Sequence, residues 1–430
     1  MSQGDGPLER HAATGPSKPL TASCVMETGT LDVSWVEVLA DDAPIFAFAE
    51  RNNPRRAFLF VSLLLGRHVP VRPAGMRRAF TRLADDIPAD LPGPVLMTGM
   101  AETAVGLGAG VHDAYLTRTG RDDVVYLSST RARLGTPLLA DFSETHSHAS
   151  AHRLYRPQHA RERSLVDAAR SLVMVDDEAS SGATFAHLAD ALATAGVDRI
   201  EHVHTAVLTD WSEGSATAAE RRLAARIPRR SRSALTRGRH QWTPRADAPI
   251  RTLPDADSPR EPAVDPLRRA DDGRLGRSTR SDRGCPPDLA ASLAADLAHD
   301  TVLVLGTGEH VWEPFLLAEV LEREGHDVHF ASTTRSPILP GHAIRRGLAF
   351  GDHEGLGISN YLYNVDAAAY RRIVLCVDTA LDALDPGLIA ALGADVLVDE
   401  TFHAHATLAD RIAGAMPLRR FVTPGGWTSS

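Results

Sequence analysis

The stretch VMVDDEASSGAT, Val173 to Thr184, ends an apolar run in three consecutive acids and then allows only small residues. Leu172–Val175 reads as a short buried strand, and Phe185, Leu188, Ala189 and Leu192 recur behind it at helical spacing. Between them, Ala179, Ser180, Ser181, Gly182, Ala183 and Thr184 form a strand–turn–helix junction free of bulky side chains. Backbone N–H groups at such a helix start can cradle a phosphate, with the Ser180 and Thr184 hydroxyls as added donors. Adjacent carboxylates repel, so Asp176 and Asp177 side by side call for a reason. A vicinal diol, bound directly or through a hydrated Mg2+, supplies one. Phosphate and diol one ribose apart describe a ribose 5-phosphate group. The plainer alternative is a solvated acid pair beside a helix cap. The full order of strand, D-D-E, S-S-G-A-T and amphipathic helix favours the ligand.

The same alternation continues outward. AFLFVSLLLG, GPVLMTG, DVVYLSS, SLVMVDD and IEHVHTAVLTD are strand-like and separated by helical stretches, which predicts a parallel-sheet α/β domain over 31–227. A second, Rossmann-like α/β domain is predicted over 286–430 from DTVLVLGTGE, GHDVHFAST, YRRIVLCVDTAL and GADVLVDE. Residues 1–30, rich in Gly, Pro and Ser, read as a disordered tail. Residues 228–285, rich in Arg and Pro, read as a linker or insertion.

Composition narrows the chemistry. The chain of 430 residues carries a net charge of −9, which argues against nucleic acid as its main partner. No eighteen-residue apolar run and no signal-like N-terminus occur, so the expectation is a cytoplasmic protein without a membrane partner. Lys18 is the only lysine, which excludes Schiff-base chemistry and a Walker-type lysine from the folded part. Any anion must then be held by Arg, His, backbone N–H groups or a metal. The three cysteines, Cys24, Cys285 and Cys376, are scattered and form no metal or disulfide framework.

With these residues in view, the junction resembles the phosphoribosyl pyrophosphate (PRPP) loop of type I phosphoribosyltransferases. More closely, the chain is similar to the phosphoribosyltransferase family of tellurite-resistance-type stress gene neighbourhoods, whose members carry a C-terminal TRSP domain. The stretches that carry the likeness include 50–71, GMAETAVGLG (99–108), SSTR (128–131), FSETHSHASAH (142–152), LGTGEHVWEPFLLAE (305–319), STTRSPILP (332–340) and NYLYNV (360–365). Leu63 and Thr145 depart from the family pattern, where a lysine and a second acid are expected. The resemblance implies a type I phosphoribosyltransferase-like domain that uses Mg2+ and transfers ribose 5-phosphate from PRPP to a base-like acceptor. It implies PRPP contacts at Glu102, Thr103, Asp176, Asp177 and Ala179–Thr184, with Asp176 and Asp177 also facing the metal.

Two further segments attract attention. Ser128–Arg156 is dense in Arg and His, and Arg131, His148, His152 and Arg153 are candidates for a loop closing over the anionic transition state. The glycines Gly99, Gly106 and Gly108 are candidates for close backbone approach to a pyrophosphate. In the C-terminal domain, Thr333, Thr334, Arg335 and Ser336 follow a strand where parallel sheets bind ligands, and would suit a phosphate or carboxylate. Two function classes remain open: a transferase, and a PRPP sensor without turnover. A homodimer is compatible with either.

Overall fold

The computed structural model describes residues 20–37, 44–51, 53, 56–143, 151–213, 217–248, 253, 273–280, 301–354, 357–379 and 383–398. The first half runs β1 (Leu20–Val25), β2 (Gly29–Glu37), β3 (Phe46–Arg51), β4 (Phe58–Ser62), α1 (Pro73–Asp85), β5 (Val95–Gly99) and α2 (Ala104–Thr119). It continues with β6 (Val124–Tyr126), β7 (Leu138–Ser143), β8 (Ala151–Tyr155), α3 (Ala160–Asp167), β9 (Ser171–Ala179), α4 (Ala183–Thr194), β10 (His202–Asp210), α5 (Ala218–Arg226) and β11 (Arg229–Pro244). The second half holds β12 (Thr301–Gly306), α6 (Trp312–Arg323), β13 (Asp327–Ser332), β14 (Ile338–Leu339), β15 (Gly347–Phe350), β16 (Asn360–Tyr363), β17 (Arg372–Val377), α7 (Pro386–Leu392) and β18 (Asp395–Val398).

Seven strands form the main sheet in the order β1-β2-β11-β10-β9-β5-β6. From β11 to β6 every neighbouring pair is parallel, whereas β2 joins β11 and β1 joins β2 antiparallel. β9 lies near the middle, and Leu172–Val175 are buried, as an interior parallel strand covered on both faces requires. The second sheet, β13-β12-β17-β18, is wholly parallel. Both predicted α/β units are therefore present.

Two expectations need correction. Residues 20–30 are not tail, since β1 and the start of β2 extend the sheet. The stretch 228–285 does not begin as a linker, because β11 is an internal strand between β10 and β2. Arg237, Arg239 and Gln241 point to solvent while Gly238, His240 and Trp242 are half-buried, so its polar composition belongs to one strand face. Farther along, Arg277 bridges Tyr126 at the β6 edge. The two halves also meet through backbone hydrogen bonds: β14 pairs with β3, and Val71 exchanges both of its bonds with Phe330 of β13. The buried rings of Phe80, Trp312 and Phe315 and the Arg77–Glu319 ion pair fasten α1 to α6. Cys376 is buried in β17.

Candidate functional site

Parallel strands deliver their following loops to one edge, and here the two sheets turn those edges toward each other. β9 runs farther than its apolar core predicts, so Asp176, Asp177 and Glu178 are strand residues and the turn narrows to Ser180–Gly182. Gly182 has φ +69°, the left-handed region, and is the residue before α4. An added Cβ there would collide with the Glu220 carboxylate. The N–H of Asp177 donates to Asp176 Oδ1 at 2.9 Å, and Thr209 Oγ1 donates to the Asp177 carbonyl. Burial pushes the Asp177 carboxyl up; the hydrogen bond with Asp176 opposes this and the charge of Glu178 reinforces it. Glu178, which the sequence did not single out, is ion-paired with Arg56. The donor set at Asp176 and Asp177, carboxylate oxygens just before the Ser180–Gly182 turn, fits a hard cation such as Mg2+.

Beside it lies the loop after β5. Met100 N–H donates to Val175 O at 3.0 Å, so residues 100–103 adjoin the acids of β9. Glu102 is held by Arg335 Nε at 2.8 Å and Arg67 Nη1 at 3.3 Å, and although burial opposes its charge, these arginines keep its carboxyl below the usual range. Thr103 precedes α2 and makes no side-chain cap bond. The glycines are packing devices rather than ligand contacts: a Cβ on Gly108 would lie 2.7 Å from the Gly99 Cα, and one on Gly106 would press on Val311 at 2.5 Å.

The Arg/His segment divides. Arg131 reaches the Ala101 carbonyl at 3.3 Å and so joins the Glu102 loop. His152 is fully buried, stacked on Phe142 at 4.7 Å, with Nδ1 3.0 Å from Ser129 Oγ. Arg153 donates to the Arg131 carbonyl at 2.7 Å. A loosely pinned lid is thus not what residues 128–143 and 151–156 form, because β7 and β8 make a hairpin whose Leu139, Phe142 and Leu154 enter the core. His148 lies outside the described residues.

The C-terminal candidates are already engaged with protein. Arg335, 6 % exposed, faces Glu102, Glu309 and Glu354, and Thr333 Oγ1 accepts from Gly308 N–H at 2.8 Å. Thr334 exchanges backbone bonds with Tyr361 and its hydroxyl accepts from Ser336 N–H at 3.1 Å. This cluster therefore draws side chains from both domains. Sequence reasoning missed its other members. Arg67 donates to the carbonyls of Gly308 and Glu102, Glu309 accepts from Thr130 Oγ1 and from Arg131 N–H, and Arg274 pairs with Asp378 at 3.0 Å.

Residues 45–239 match the family described as phosphoribosyl transferase, and residues 271–392 match the TRSP domain, described as C-terminal to it. The chain joins a phosphoribosyltransferase-family domain to a C-terminal TRSP domain. No curated protein matches the sequence. Among solved structures, adenine phosphoribosyltransferase from Trypanosoma brucei, in complex with AMP, pyrophosphate and ribose-5-phosphate, is similar at 12% identity and TM-score 0.32, covering 46% of this chain and 86% of its own. Orotate phosphoribosyltransferase from Francisella tularensis is similar at 13% identity and TM-score 0.27, covering 45% of this chain and 80% of its own. In the phosphoribosyltransferase domain, the family match and the β9–α4 junction coincide. No helix among the described residues is long and apolar enough to cross a membrane.

Proposed function

We propose that the chain transfers the 5-phosphoribosyl group of Mg2+-bound PRPP to a ring nitrogen of a base-like acceptor, releasing pyrophosphate. The reading rests on one observation: the half-buried acids Asp176 and Asp177 lead directly into the Ser180–Gly182 turn at the start of α4, inside the phosphoribosyltransferase domain. Ser180, Ser181, Ala183 and Thr184 would receive the 5-phosphate on N–H and hydroxyl groups. Asp176 and Asp177 would hold the ribose hydroxyls and Mg2+, which when bound neutralises charge on the departing pyrophosphate. Loss of that group leaves a cationic ribosyl centre, which nearby carboxylates stabilise. The product would be a nucleotide-like metabolite made in the cytoplasm, with the stress-response setting the resemblance implies.

The test is pyrophosphate release from PRPP and Mg2+ across a panel of nitrogenous bases. Base-dependent release, lost in the Asp176→Asn/Asp177→Asn double variant, is the expected result. Tight PRPP binding without turnover on any base would make the protein a sensor. Unchanged PRPP affinity in the double variant would remove the site from β9.

A further inference from the structure

We propose that the TRSP domain completes the phosphoribosyl site, with Arg335 as a positioning residue that neutralises and orients Glu102. The proposal rests on the reading above and takes the loop 100–103, which adjoins the acids of β9 and whose Glu102 and Thr103 the resemblance sets at PRPP, as the side that meets the pyrophosphate.

A carboxylate in a loop that receives a tetraanionic pyrophosphate opposes its own ligand unless its charge is cancelled. Glu102 occupies that position, and two arginines cancel it, Arg67 from its own domain and Arg335 from the other. Arg335 Nε lies 2.8 Å from Glu102 Oε2, while Nη1 and Nη2 lie 3.3 Å from Glu354 and Glu309, so three carboxylates fix one guanidinium. Glu309, fully buried, reaches the next loop and accepts from Arg131 N–H at 2.7 Å, while Arg131 in turn donates to the Ala101 carbonyl. Arg67 closes the circuit on the carbonyls of Gly308 and Glu102. The loops after β5 and β6 are thus both held by TRSP side chains.

Domain adhesion does not account for this cluster. Apolar packing of α1 on α6, the β3–β14 pairing and the Arg77–Glu319 pair already join the halves. Buried ion clusters pay a desolvation penalty and define geometry better than they add stability. This one sits at loop ends beside the β9 acids, where geometry matters.

The experiment is calorimetric titration of the full chain with Mg2+ and inorganic pyrophosphate, and separately with PRPP, alongside thermal melting. Arg335→Gln should weaken pyrophosphate binding about ten- to hundredfold, as an uncompensated Glu102 charge would. The Arg335→Gln/Glu102→Gln double variant should recover much of that loss, since the repelling charge is gone, which lost packing alone would not allow. Arg335→Lys keeps the charge without the fork and should raise the KM for PRPP several-fold with kcat little changed; it also serves if Arg335→Gln does not fold. Wild-type affinity in folded Arg335→Gln or Arg335→Lys, or no recovery in the double variant, would overturn the role of Arg335 while leaving the Proposed function intact. Failure of the wild-type protein to bind either PRPP or pyrophosphate would overturn both.

Discussion

At the scale of single residues, two positions near the β9–α4 junction set function against stability. Burial and the neighbouring Glu178 make Asp177 an uncomfortable carboxylate in the free protein, partly relieved by Asp176. Asp177→Asn is therefore expected to leave stability unchanged or raise it by about 0.5–2 kcal/mol, while removing Mg2+-dependent PRPP binding. A clear fall in Tm would show instead that Asp177 holds the fold. Gly182 presents the opposite case, because its left-handed φ of +69° suits glycine and Glu220 fills the space a side chain would need. Gly182→Val should lose at least about 1–2 kcal/mol and with it PRPP binding. Normal binding by a folded variant would move the phosphate away from this turn.

At the scale of elements, the β7–β8 hairpin carries two of the residues that composition assigns to a lid. Its side chains explain why it is anchored: Phe142 stacks on His152, β7 packs against α4, and the Tyr155 hydroxyl accepts from Leu134 N–H at 2.9 Å. His152→Ala opens a hole beside Phe142 and leaves Ser129 Oγ with only the Ala101 N–H, so a loss of about 2–3 kcal/mol is expected. A variant with unaltered Tm but abolished turnover would give His152 a chemical role. Hydrogen exchange offers an independent check. Amides of 138–142 and 151–155 should be protected without ligand, because the hairpin is part of the core. Rapid exchange there in the free protein, slowed by PRPP, would restore the lid.

At the scale of the whole molecule, buried histidines tie stability to pH. Burial pushes His68, His112 and His204 down to about 3, with the charge of Arg67 adding at His68, Arg277 at His112 and His202 at His204. These rings are neutral in the folded state, but in the unfolded chain they take up protons near the ordinary value of about 6.5. The stability they permit is complete above that value and is lost as pH falls from 6.5 toward 3. Each should remove about 2 kcal/mol by pH 5, so Tm should drop steeply over that range. Neither ring nitrogen of His68 has a hydrogen-bond partner among the described residues. His68→Leu is accordingly expected to flatten the acid limb of a Tm–pH curve; an unchanged limb would show that His68 titrates normally.

What the sequence determined by itself was short-range. The apolar run of β9, the three acids and the small residues before α4 occupy one dozen positions, and periodicity and side-chain size act over that distance. The same holds for the β–α alternation behind the parallel strands of both sheets. The nature of β11 was half legible, since its arginines alternate with half-buried residues, but only its neighbours β10 and β2 make that polar stretch an internal strand. Tertiary structure alone decided the rest. Arg335 meets Glu102 across 233 residues, and Arg67 meets Thr333 across 266, so no local pattern could pair them. Arg335 looked free to bind a phosphate because a guanidinium's partners are invisible until the chain folds. Once the two carboxyl edges face each other, the buried Glu309 and Glu354 and the half-buried Glu102 claim it, and charge that cannot be left unpaired away from water fixes the cluster.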